Sequence, residues 1–171
     1  MGIPIDRTSA LSDTELANTS NWEENMFLGA QEVFEMMIGV PLRHCPAGSA
    51  LEAGEYTAVI GLAGPITGVF AIRCNEKTAI GIARGMLGVG EDEARHEVWD
   101  ALGEVCNMVI GNFKAKTGGA GANSMLSVPT VIQGHDYRVR PLINGSFLEC
   151  RMETPDGVLH CRLDYRLSQA V

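Results

Sequence analysis

An eight-residue motif occurs twice in this 171-residue chain, and it constrains the fold more than any other feature of the sequence. Residues 32–39 read EVFEMMIG and residues 104–111 read EVCNMVIG, with five identical positions at an offset of 72 residues. Each copy lies in a segment with helical spacing of apolar residues, and predicted strands that include a hairpin follow each one. Chance similarity between two amphipathic helices is the alternative. We favour an internal duplication with pseudo-two-fold symmetry.

Periodicity predicts the secondary structure around these motifs. We expect helices over 22–40 (ended by Pro41 and Pro46), from a cap at Asn75 or Thr78 to about residue 87, and over 92–116. We expect strands over 56–62, 66–74, 127–132, 136–142, 146–153 and 158–167. The last two strands form the clearest hairpin, which turns on Pro155-Asp156-Gly157. In the final strand apolar and polar residues alternate, so one face is buried and the other is wet. The predicted fold class is α+β, an antiparallel sheet packed against long helices.

Composition limits the classes of partner. The chain is 46% hydrophobic and 20% charged with a net charge of −8, so we expect no nucleic-acid partner, because phosphate backbones are bound by clustered Lys and Arg. The stretch 57–72 is too short and too rich in glycine to cross a membrane. Residues 1–20 are polar and lack the apolar core of a secretory signal. We expect a mobile N-terminal arm over 1–20 and a single domain over 21–171, located in the cytoplasm.

The cysteines give no sign of a metal site. There are five, an odd number, and none forms a CxxC pair. Reduced thiols that pack in the core are the expectation in a reducing compartment. We therefore predict that the chain holds no metal ion and no cofactor of its own.

The predicted helix over 92–116 has two different faces when its residues are placed at about 100° intervals. An apolar face comprises Val98, Leu102, Val105, Cys106, Val109 and Phe113; opposite lies a polar stripe of Asp100, Glu104, Asn107, Gly111 and Lys114, with Met108 and Ile110 on its flanks. A solvated helix surface is the ordinary explanation of such a stripe. Two features argue against it. Asn107 is a poor helix former at a mid-helix position, and Met108 and Ile110 are costly to expose unless a partner covers them.

Three segments carry a family resemblance. Asp100-x3-Glu104-x2-Asn107, continued by MVIGNFK, resembles the signature of the CheC/CheX/FliY family of chemotaxis phosphatases. The segments 126–134, whose proline follows the asparagine by 22 residues, and 66–72 are also similar to that family. The resemblance covers roughly residues 22–167. It is strongest to the CheX branch, because CheC carries Glu-x2-Asn in both halves and the first copy here reads Glu-x2-Glu.

This resemblance implies an enzyme that hydrolyses the phospho-aspartate of a CheY-type response regulator in chemotaxis, with Mg²⁺ bound by the regulator. Asn107 would orient the attacking water, and Glu104 would pair with a lysine of the regulator. Asp100, Met108, Ile110 and Gly111 would contact the regulator. For Asp100 a plain surface carboxylate is the alternative.

Two further expectations concern partners. A non-catalytic module that docks a response regulator or a flagellar switch component through the same helix is the alternative function, and a structural adaptor domain is a third. We also expect a homodimer. The predicted hairpin over 56–74 is apolar on both faces, and the resemblance to CheX implies pairing through the sheet.

Overall fold

The chain folds into four helices and seven strands within the part that a computed structural model describes, residues 19–46 and 55–168. The helices are α1 (Trp22–Val33), which a π-helical turn (Phe34–Ile38) continues, α2 (Glu76–Leu87), α3 (Glu91–Thr117) and the short α4 (Gly119–Ala122). The strands are β1 (Arg43–His44), β2 (Tyr56–Ala63), β3 (Ile66–Cys74), β4 (Met125–Leu126), β5 (Thr130–Gln133), β6 (Ser146–Thr154) and β7 (Gly157–Leu167). Of the arm predicted over 1–20, residues 1–18 lie outside the described residues.

The helix ends follow the expected capping chemistry. The Asn75 side chain accepts a hydrogen bond from the Thr78 backbone N–H at 2.8 Å and so begins α2. The first helical segment ends at Gly39, which takes a left-handed conformation with φ 78°. Its last residue is Ile38, two residues short of the predicted boundary at residue 40.

All seven strands form one antiparallel sheet in the order β1-β6-β7-β3-β2-β4, and β5 pairs with β2 next to β4. The order is symmetric about its centre, where β3 pairs with β7. The hairpin β2–β3 is matched by the hairpin β6–β7, and the strand that precedes each hairpin pairs with the other one, β1 with β6 and β5 with β2. The two halves thus exchange their first strands. This topology confirms the predicted α+β fold with an internal pseudo-two-fold duplication.

The three long helices cover one face of the sheet, and α3 lies between α1 and α2. Trp22 of α1 stacks edge-on against Phe113 of α3 at 5.5 Å between ring centroids and contacts Tyr165 of β7 at 5.1 Å. The cysteines are free thiols, and burial raises the pKa of Cys74 and Cys106 to about 12. The core therefore consists of aromatic, aliphatic and neutral thiol groups between helices and sheet.

The predicted strand over 136–142 is wrong. This segment belongs to an irregular crossing that leads from β5 beside β2 to β6 on the far side of the sheet. Asp136 has φ 57°, which breaks an extended conformation, and Pro141 has no N–H to donate to a neighbouring strand. Tyr137 fixes the crossing, because its hydroxyl lies 2.6 Å from Thr57 Oγ1. Leu142 is 92% exposed.

The strand predicted over 127–132 is shorter than expected and begins at Thr130. Ser127 stays bound to the sheet edge, because its backbone N–H donates to the Gly61 carbonyl at 2.9 Å and its Oγ accepts from the Gly61 N–H at 2.9 Å. The chain then leaves the sheet at residues 128–129. Pro129 then turns toward α3 and lies next to Gly103. This departure brings the segment beside the helix that carries the second motif.

Candidate functional site

The apolar face of α3 fixes how the helix is rotated against the sheet. All six residues predicted for that face are buried: Val98, Leu102, Val105, Cys106, Val109 and Phe113. The Cys106 thiol donates to the Ala58 carbonyl of β2 at 3.7 Å. With this face fixed, the opposite side of α3 necessarily points away from the core.

The polar stripe lies on that opposite side, as predicted. Asp100 and Glu104 are exposed, and Asn107, Gly111 and Lys114 are half-buried. Within residues 19–46 and 55–168 the charged groups of the stripe form no ion pair, and the Asn107 amide has no hydrogen-bond partner. Glu104 and Asn107 are three residues apart, so they are neighbours on the helix surface. The site therefore presents a free carboxylate beside a free carboxamide.

Ile110 does not belong to this exposed site. It is 0% exposed and lies in the core, so its predicted contact with a partner is wrong. Ile110 follows Gly103 by seven residues and shares its side of α3. At Gly103 this side packs against the segment after β4, since a Cβ on Gly103 would lie 3.4 Å from Pro129 Cγ and 3.6 Å from Val131 Cγ2. Met108, on the opposite flank, is half-buried.

An exposed apolar ledge, which was not predicted from the sequence, lies beside the stripe. Val128 is 83% exposed and precedes the proline that packs on Gly103; Trp99, one turn before Gly103 on the same side of α3, is 53% exposed. We call Trp99, Val128 and Pro129 the apolar ledge. The exposed tryptophan was the available signal, because its angular position on the helix lies next to the stripe.

No contact within the described chain requires a glycine at position 111. A Cβ at this position would meet no atom within 4 Å, and the residue lies inside a regular helix. Glycine in a helix interior costs about 1 kcal/mol relative to alanine. The open space above Gly111 is therefore available to a partner that approaches the helix backbone closely.

The first copy of the motif is tied into the fold. Glu32, the counterpart of Glu104, pairs with Lys116 Nζ at 2.5 Å and accepts from Asn112 Nδ2 at 3.4 Å. Glu35, the counterpart of Asn107, accepts from Gln31 Nε2 at 3.1 Å. The two copies lie on helices that pack against each other, but their polar groups differ: those of the first copy have partners among the described residues and those of the second do not.

Neither a metal centre nor a membrane span is visible in the described segments. Among residues 19–46 and 55–168, no group of three or more His, Cys, Asp or Glu side chains could hold a metal ion. No described helix is long and apolar enough to cross a membrane.

Known proteins share both sequence and fold with this chain. Residues 56–153 match the profile of the family described as Chemotaxis phosphatase CheX. The chain is 30% identical over 87 residues to the CheY-P phosphatase CheX of Thermotoga maritima, a match that covers 50% of this chain and 56% of that protein. The chain thus matches only about half the length of this curated relative.

Solved structures show the same fold at lower identity. The chemotaxis protein CheX from Desulfovibrio desulfuricans aligns with a TM-score of 0.74 and 20% identity, over 85% of this chain and 99% of that one. The complex of CheX with CheY, BeF3 and Mg²⁺ from Borrelia burgdorferi aligns with a TM-score of 0.66 and 20% identity, over 85% of this chain and 97% of that one. Because the family profile matches more than half of its length, this chain belongs to the CheX family of chemotaxis phosphatases.

Proposed function

We propose that this protein hydrolyses the phospho-aspartate of a CheY-type response regulator in the cytoplasm. The observation that carries the proposal is the unpaired Glu104 beside the unpaired Asn107, on the exposed side of α3 and inside the matched family region. The Thermotoga maritima relative is named a CheY-P phosphatase, and the Borrelia burgdorferi structure contains both CheX and CheY. Both names support the same substrate class for this chain.

Asn107 has the chemistry that this hydrolysis requires. Phosphoryl transfer needs an attacking oxygen held in line and stabilisation of charge, with little covalent work for the protein. The carboxamide oxygen of Asn107 accepts a hydrogen bond from water, and its nitrogen donates to a phosphoryl oxygen. The water oxygen bonds to phosphorus as the bond from phosphorus to the aspartyl oxygen breaks. The aspartate leaves as a carboxylate, and inorganic phosphate is released.

The charged and apolar groups around Asn107 provide the docking surface. Glu104 pairs with a lysine of the regulator and sets the register along α3, and Asp100 extends the same negative charge by one turn. Met108 and the open space above Gly111 accept the regulator surface, and the apolar ledge adds aromatic and aliphatic contact on the other side. Mg²⁺ arrives with the regulator, where it neutralises phosphoryl charge.

A homodimer is the oligomeric state that we propose. The face of the sheet opposite the helices carries half-buried apolar side chains on its central strands, among them Val59, Val69 and Ala71. Pairing through this face removes their remaining apolar surface from water.

The alternative function, a non-catalytic module that docks a regulator or a flagellar switch component, uses the same helix and the same docking surface.

Phosphate release decides between catalysis and docking. CheY-type regulators of the source organism are phosphorylated with acetyl phosphate, freed of donor, and followed for inorganic phosphate with and without the protein. Release that the protein accelerates at substoichiometric amounts supports a phosphatase. Binding to a phosphorylated regulator with no acceleration assigns the chain to the docking alternative instead.

A further inference from the structure

Lys114 is the only cation of the polar stripe, and the described chain leaves its ammonium unpaired. No described carboxylate lies within ion-pair distance of Lys114 Nζ. Lys116, two residues later, pairs with Glu32 instead. Positive charge near the end of a helix interacts favourably with the helix dipole, and Lys116 serves that purpose equally well. The dipole therefore does not explain why one lysine lies on the stripe.

The space between Asn107 and Lys114 is open. The two residues are seven positions apart, about 10.5 Å along the helix axis, and Gly111 lies between them on the same face. Apart from its chain neighbours and its own helical backbone, no atom of the described residues lies within 4 Å of where a Cβ on Gly111 would be. The Cα–Cβ bond of Lys114 tilts toward the N-terminus of α3 and hence toward this space. We call it the Gly111 notch.

Charge along the stripe is ordered. Asp100 and Glu104 are negative on the N-terminal side of Asn107, and Lys114 is positive on its C-terminal side. Complementary charges at an interface set register and association rate more than affinity. Because the chain carries a net charge of −8, it repels an acidic partner at long range. Within the polar stripe, Lys114 is the residue that attracts an acidic group of the partner.

The chemistry of the proposed substrate supplies an acidic counterpart; this step rests on the proposed function. A regulator that binds Mg²⁺ beside its phospho-aspartate holds the ion through one or two carboxylates, together with waters and phosphoryl oxygens, so its phosphorylation site is acidic. We propose that Lys114 is a positioning residue, which binds a carboxylate at the rim of the regulator's phosphorylation site across the Gly111 notch. The distance of about 10.5 Å along the axis places Lys114 at this rim and away from the phosphorus that Asn107 serves. Lys114 thereby fixes the direction in which the regulator lies along α3.

Lys114→Glu, Lys114→Gln and Lys114→Arg test this role, with Lys77→Glu as the control. Lys77 is exposed on α2 and pairs with Asp156 at 3.5 Å, so its reversal changes the net charge equally at a site away from the stripe. The probe is a CheY-type regulator of the source organism, used phosphorylated for turnover and with BeF3 and Mg²⁺ for binding. We expect Lys114→Gln to raise KM and Kd about fivefold and Lys114→Glu about 20-fold or more, with kcat within about twofold of the unchanged protein.

Further outcomes separate a specific contact from general charge effects. Lys114→Arg should retain most of the affinity, Lys77→Glu should bind as the unchanged protein does, and 0.5 M salt should reduce the loss in Lys114→Glu. An unchanged Kd in folded Lys114→Glu, or an equal loss in Lys77→Glu, overturns the assignment. A lower kcat at unchanged KM overturns it as well, because it places Lys114 at the phosphoryl group. If the unchanged protein binds the regulator without releasing phosphate, the proposed activity is wrong, but the Kd values of the variants still test the role of Lys114. If it neither binds nor releases phosphate, both the proposed activity and the role of Lys114 are wrong.

Discussion

Lys116 Nζ lies 2.5 Å from Glu32 Oε1, and this ion pair joins the C-terminal end of α3 to α1. Glu32 occupies the same place in the first motif as Glu104 occupies in the second. The duplicated glutamate thus has two roles: Glu32 forms an ion pair between two helices, and Glu104, on the surface of α3, is unpaired among the described residues. Asn112 reinforces the first role, because its amide donates to both the Gly29 carbonyl and the Glu32 carboxylate. The fold uses one copy of the motif to hold its helices together and leaves the other copy free.

Glu32→Ala and Glu104→Ala are expected to affect different properties, the first stability and the second activity. Glu32→Ala should lower the free energy of unfolding by about 1 kcal/mol at most, since Glu32 is half exposed and such pairs are weak, and it should leave turnover unchanged. Glu104→Ala should leave stability within about 0.5 kcal/mol and weaken both regulator binding and phosphate release. Urea unfolding and phosphate release on the same preparations measure both quantities. Equal activity in the two variants would contradict this division.

The sequence predicted most of the fold because its periodic patterns agree with tertiary packing. The apolar face of α3 fixed the rotation of that helix, so the position of the stripe followed from helix geometry alone. The alternation in β7 likewise matches its buried and wet faces. Tyr137 and Val139 alternate with Arg138 and Arg140 in the segment over 136–142, but the left-handed backbone at Asp136 and the proline at 141 break an extended strand there. Local periodicity thus predicts a strand only where the backbone can extend and pair with a neighbouring strand.

The errors at the site have a similar cause. A helical projection gives the angle of Ile110 but not what packs against it, and the fold buries Ile110 completely. The tie between Glu32 and Lys116 joins residues 84 positions apart and leaves no trace in local sequence. Contacts of this kind depend on how α1 crosses α3.

Homodimerisation is expected through the helix-free face of the sheet. Light scattering at tens of micromolar should give twice the mass of the chain for the unchanged protein. Val69→Asp should give the mass of the single chain, because a carboxylate on this face would lose solvation on pairing. Ala115→Asp, on the exposed surface of α3, is the control and should remain dimeric. A single-chain mass for the unchanged protein would disprove the dimer.

Metal removal should affect the regulator but not this protein. Treatment of the chain alone with EDTA is expected to leave its circular dichroism and thermal midpoint unchanged. Phosphate release from the regulator should stop in EDTA and return with excess Mg²⁺, because the ion belongs to the regulator in this proposal. Elemental analysis of the purified chain provides the check. A tightly bound metal at one equivalent per chain would refute this distribution.

Asn107→Ala and Glu35→Ala compare the same position in the two copies of the motif. Asn107→Ala should slow phosphate release by on the order of 10²-fold or more, the scale on which misplaced reactants lose rate, which corresponds to about 2.7 kcal/mol of barrier. Binding of the BeF3-loaded regulator should largely survive, because the amide acts in the transition state. Glu35→Ala should change neither quantity, since a carboxylate there would repel phosphoryl oxygens and its present partner is Gln31. Circular dichroism must first establish that both variants fold. Full activity in folded Asn107→Ala would remove the phosphatase assignment from this helix and leave it with docking alone.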